Sequence, residues 1–103
     1  MSRLAFIIAA MLAVSVASAR AEEKMVVDMK KMTCAKLTGL GFQDFAGVTM
    51  WLSGYYNASS RNTVVDLAQY AQAATKVKQF CQANPGMTVL SASERALGIR
   101  MPR

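Results

Sequence analysis

Cys34 and Cys81 are the side chains here with the most chemistry to offer, and no histidine is present to work with them. Histidine is the usual general base, proton shuttle and commonest metal ligand, so its absence argues against a hydrolytic triad, a haem protein or a metalloenzyme. Two thiolates fall short of the four protein ligands that structural zinc wants. Their spacing is far from C-x-x-C, which excludes a thioredoxin-like redox pair. No glycine-rich phosphate loop is present either. We therefore expect no catalytic residue, no cofactor and no metal, and the chain does not read as an enzyme. Two roles remain open for the cysteines: a structural disulfide, or a pair of reactive thiols.

The first twenty residues help choose between them. Arg3 supplies a positive start, Leu4 to Val16 (LAFIIAAMLAVSV) forms an apolar run, and small residues come after it. This is the three-part pattern of a secretory signal peptide. A membrane-spanning helix needs about 20 apolar residues, so a permanent anchor is the weaker alternative. Two A-x-A sites compete, and cleavage after Ala21 is preferred to cleavage after Ala19, because Glu22 then opens the mature chain. Export places both cysteines in an oxidising compartment, where two cysteines in a short chain usually pair. The bridge would close about 48 residues and stabilise the fold by roughly 4 kcal/mol in the chain-entropy model.

Residues 1–21 leave with the signal, so 103 − 21 = 82 residues remain, room for one small domain (22–103). Arg3 and Arg20 are lost from the twelve Lys+Arg while all six Asp+Glu stay, giving a mature net charge of 10 − 6 = +4. A basic balance can favour nucleic acid, anionic membranes or acidic proteins. An exported chain rarely meets nucleic acid, and Lys30-Lys31 is the only adjacent cationic pair among the mature residues. The cations are thus expected to form a solvated face, with no nucleic-acid partner and no stable membrane insertion.

The positions of these residues depend on four helical stretches. Residues 22–32 show no clear period and are expected to be a mobile arm, as is the basic end 99–103. Thr33 is placed to cap a short helix from Cys34 to about Leu40, closed by Gly39 and Gly41. Phe45, Val48, Leu52 and Tyr55 or Tyr56 recur at helical spacing and predict a second helix over about 44–57, with Trp51 widening its apolar stripe. Asp66 should cap the longest helix, 67–83, whose Tyr70, Ala74, Val77 and Cys81 fall on one side. Asn84-Pro85-Gly86 stops it, and Ser91 or Ser93 should cap a last short helix through Leu97. The expected fold is a small all-α domain of four to five helices.

Met32-Thr33-Cys34 opening a short helix, Trp51 inside the next, and Cys81-x-x-Asn84-Pro85 resemble the HdeA/HdeB family of periplasmic acid-stress chaperones, with the last motif closer to the HdeB branch. The resemblance implies a helical domain with one bridge, Cys34 to Cys81, dimeric near neutral pH. It also implies an ATP-independent holdase that binds unfolding periplasmic proteins in acid. Trp51 and its helix match the segment contributing to the family's apolar dimer surface. The chain departs from the family in its charge, since the enteric members are richer in acidic residues.

Such an activity needs apolar surface that can be shown or hidden. Phe42, Phe45, Val48, Trp51, Leu52, Tyr55 and Tyr56 concentrate large side chains within fifteen residues. A domain this small cannot bury them all, so some should line a dimer interface or client surface and the rest, Val48 and Leu52 foremost, the core. With no histidine, a pH switch must use carboxylates. Asp44 and Asp66, at or near helix starts, stabilise those helices when ionised and stop doing so when protonated in acid. Protonating all six acids takes the mature chain from +4 towards +10, and the added self-repulsion favours monomer and loosening. The competing function is that of a basic envelope-binding protein, drawn to anionic lipid or lipopolysaccharide.

Overall fold

Thr33 sets the start of α1. Its backbone is extended, its hydroxyl accepts the Lys36 N–H, and the helix runs Cys34–Thr38. The computed structural model describes residues 25–103 and holds three further helices: α2 (Phe42–Ser59), α3 (Leu67–Ala83) and α4 (Val89–Leu97). No strand occurs among the described residues, only an isolated bridge between Thr33 and Thr88. The expected all-α class is therefore observed, with four helices. The signal peptide and the Ala21–Glu22 cleavage site lie outside the described residues.

The core gathers around the disulfide. Cys34 and Cys81 are bonded to each other, 47 residues apart, and both are fully buried. Leu37, Val77, Val89 and Ala92 pack with them, so α1, α3 and α4 share one apolar centre. Tyr70, Ala74, Val77 and Cys81 share one side of α3, with the last three buried. The start of α1 is satisfied from the loop before α4: the Cys34 N–H donates to the Met87 carbonyl (2.8 Å) and the Ala35 N–H to that of Pro85 (3.0 Å). The Val89 N–H returns a bond to the Met32 carbonyl (2.9 Å). Two helix N-termini thereby supply each other's unmet backbone partners.

Three local expectations need correction. Helix α4 is capped by Thr88, whose hydroxyl accepts the Ser91 N–H, rather than by Ser91 or Ser93. Ser93 instead turns inward, almost fully buried, and donates to the Val89 carbonyl at 2.8 Å. Helix α2 starts at Phe42, two residues earlier than its apolar period suggested, so Asp44 lies in the first turn and Gly41 is the N-cap, without a side-chain bond.

The third correction concerns the two ends, expected to be mobile. Met32 is buried, Val27 and Met29 pack on the core, and the Lys31 and Met32 N–H groups both donate to the Asp28 carbonyl. At the other end Met101 is only 5% exposed. The basic tail is tied down because Met101 carries it into the core, a contact invisible to a local reading.

Candidate functional site

Helix α2 carries the candidate surface. Its eighteen residues contain a single charge, Asp44, yet it buries only Val48, Thr49 and Leu52. A helix that is apolar most of the way round is normally buried most of the way round. Here much of it faces solvent, and that mismatch makes it the candidate contact surface.

The structure divides the seven expected surface residues. Val48 and Leu52, the two of the seven foremost expected in the core, point into it and are not part of the surface. Phe45, Tyr55 and Tyr56 are half-buried flanks packed on that core. Phe42, 86% exposed at the helix start, and Met50 and Trp51, each 43% exposed, are the open positions, with Phe42 and Trp51 on opposite sides of the helix. The Trp51 and Tyr55 rings stack, centroids 4.8 Å apart and planes 15° from parallel. This pairing holds the indole along the helix as a flat apolar face. The Lys78 ammonium sits 5.4 Å from the Phe45 centroid, so a cation from α3 covers one flank.

Behind this face α2 rests on α3 across a groove of about 460 Å³. Leu52, Tyr56, Val64, Val77, Leu97 and Met101 supply its apolar wall. The extended stretch before α3 forms one lip, where Val64 is 77% exposed and Leu67 also faces solvent. These two were not among the expected surface residues. The apolar Val64-Val65 pair just before the Asp66 cap is the signal in the sequence that marks this lip. Two hydroxyls cross between the helices: the Tyr70 and Thr49 oxygens are 2.6 Å apart, and Tyr70 also donates to the Ala46 carbonyl at 3.2 Å.

The two expected acid-sensitive residues occupy different positions. Asp66 is a true N-cap, its carboxylate accepting the Gln69 N–H at 3.0 Å. Asp44 makes no such bond and acts only through its charge near the α2 N-terminus. Both are exposed. The described residues include no group of three or more His, Cys, Asp or Glu placed to hold a metal ion. No helix among them is long and apolar enough to cross a membrane.

A family model described as the HdeA/HdeB family matches residues 1–91. No curated protein and no solved structure gives a significant match. The matched span includes both cysteines, all of α1 to α3, and the whole aromatic face of α2.

Proposed function

The chain belongs to the HdeA/HdeB family, a family of periplasmic acid-stress chaperones rather than enzymes, and from that premise we propose that it is an ATP-independent holdase. In acid it binds unfolding periplasmic proteins and keeps them from aggregating. The observation carrying this reading is the singly charged helix α2, which leaves Phe42, Met50 and Trp51 in solvent. Near neutral pH a second copy covers that face, giving a homodimer, and in acid an unfolded client replaces it. Such a face has no reaction to perform. It needs adaptable apolar contact, which stacked aromatic and Met side chains supply.

The disulfide fits an oxidising compartment and limits how far the chain opens. We assign residues 1–21 to a signal peptide cleaved between Ala21 and Glu22, and residues 22–103 to the mature periplasmic domain. Cys81-x-x-Asn84-Pro85 favours the HdeB branch. There Asn84 closes α3, its side chain donating to the Phe80 carbonyl at 2.9 Å, and Pro85 gives its carbonyl to α1.

The test is light scattering from an aggregation-prone client at pH 7 and pH 3, with and without the oxidised protein. Suppression at pH 3 is the expected result. Failure with several clients at both values would discard the holdase. Salt-sensitive binding to anionic vesicles at neutral pH would then favour the basic envelope-binding alternative.

A further inference from the structure

The chain beyond α4 doubles back over the fold. Gly98, in the left-handed conformation at φ 64°, ends the helix, and the Ile99 N–H returns to the Glu94 carbonyl at 3.1 Å. The side chain of the same Glu94 holds the end of the chain. Its Oε2 accepts the Met101 N–H at 3.0 Å, and its Oε1 lies 3.5 Å from the Arg103 guanidinium. Met101 is buried in the core cluster and walls the groove between α2 and α3. One residue on, the Pro102 carbonyl accepts the Tyr55 hydroxyl of α2 at 2.9 Å. Six residues therefore run from α4 across the groove to α2, fixed at one end by a single carboxylate.

We propose that residues 98–103 form a strap latched by Glu94, which is released when that carboxylate is neutralised in acid, uncovering the groove and freeing α2 from α4. The family match ends at residue 91, three residues before Glu94, so the strap lies outside the span that the family model covers.

The charges around the latch support release. The Glu94 side chain is 19% exposed, against 82% for Arg103. The exposed ion pair contributes little. The charge-assisted bond from the Met101 N–H to Glu94 is the latch's acid-sensitive part, beside the buried Met101 side chain and the Tyr55–Pro102 bond. The basic nitrogens of Lys36 on α1, Lys76 and Lys78 on α3, Arg95 on α4 and Arg100 on the strap all stay beyond 4 Å of this carboxylate, so among the described residues Arg103 alone pairs with it. From α2 the titratable group reaching the strap is Tyr55. Asp44 lies eleven residues before it, about 16 Å of helix rise away. Once Glu94 is neutral, Arg103 loses its ion-pair partner. Exposing a client surface in this way rests on the holdase reading, whereas release of the strap does not.

The test is NMR of the oxidised protein, following backbone order and amide protection of residues 98–103 from pH 7 to pH 3. The wild-type strap should be ordered at pH 7 and become mobile in step with titration of the Glu94 carboxyl resonance, before α3 and α4 lose their order. Glu94→Gln should leave α4 and the disulfide core intact and release the strap already at pH 7, lowering Met101 amide protection by about tenfold. A Glu94→Gln strap as ordered as wild type at pH 7 would overturn the proposal. So would a wild-type strap that stays ordered to pH 3 or melts only with the whole fold. Should Glu94→Gln not fold, the wild-type titration decides by itself. Client suppression, assayed separately, tests the holdase and leaves the strap result unaffected.

Discussion

The hydroxyls of Thr49 and Tyr70 lie 2.6 Å apart and join α2 to α3 across 21 residues of sequence. Thr49 is buried, and its hydroxyl also reaches the Phe45 carbonyl at 2.9 Å. Val48 and Leu52 are the helix's buried apolar residues, and this bridge, the Tyr70 bond to the Ala46 carbonyl and the Tyr55–Pro102 bond tie α2 to α3 and the chain's end. The disulfide, by contrast, joins α1 to α3. The molecule thus pairs a covalently fixed body with one lightly attached aromatic helix, the division of labour that a holdase with hideable surface requires.

Tyr70→Phe isolates the bridge. Thr49 keeps its bond to Phe45, so no buried donor is stranded, and the loss should be about 1 kcal/mol in urea unfolding. Hydrogen exchange should quicken across α2 while α3 and α4 keep their protection. Equal quickening in all four helices would show that α2 is not a separately opening unit.

Reducing the Cys34–Cys81 bond removes a constraint on a 47-residue separation and should cost about 4 kcal/mol. For a small domain that is a large share of the whole stability. Thermal melts of the oxidised and reduced protein at pH 7 should differ accordingly, and reduced protein at pH 3 should lose its helical signal cooperatively.

Asp66 and Asp44 separate a cap bond from a charge effect. Asp66→Ala removes the acceptor for Gln69 and should cost about 1 kcal/mol, whereas Asp66→Asn keeps it and should cost only a few tenths. Asp44→Asn should cost about 0.3–1 kcal/mol through the α2 N-terminus. An ionised carboxylate at a helix start stabilises the fold through the helix dipole. The double Asn variant should therefore be somewhat less stable at neutral pH, and its dimer dissociation tests whether either residue belongs to the proposed trigger. Analytical ultracentrifugation would check this: an unchanged pH midpoint of dimer dissociation would remove both residues from the trigger.

The helices were legible because periodicity and punctuation are local. Asp66 before Leu67 and Asn84-Pro85-Gly86 after Ala83 delimit α3 at both ends, and the Tyr70–Cys81 stripe identified its buried side. Long-range contacts were not legible. Nothing near Met101 announces that it enters the core, because the core cluster it joins, with Leu52 and Val77, is built from residues distant in sequence. The same limit divided the aromatic face. Spacing placed Val48, Leu52, Phe45 and Trp51 on one broad stripe, but only the position of α3 decided which were covered. Ser93 misled for a related reason, since a hydroxyl that bonds back to Val89 within its own helix resembles a cap in sequence.

That division of the aromatic face supplies its own test. Phe42 is 86% exposed, so Phe42→Ser should change stability by no more than about 0.5 kcal/mol. Leu52 is buried between α2 and the core, and Leu52→Ala should cost about 2–5 kcal/mol. If α2 works by contact, Phe42→Ser combined with Trp51→Ser should weaken both the neutral dimer and client suppression at pH 3 while the domain stays folded. On the proposed reading those two losses should appear together, because one face would be covered by a second copy in one condition and by client in the other. A double variant that still suppresses aggregation fully, with only its dimer lost, would move the client surface off α2. The exposed Val64–Leu67 lip would then be the next region to mutate.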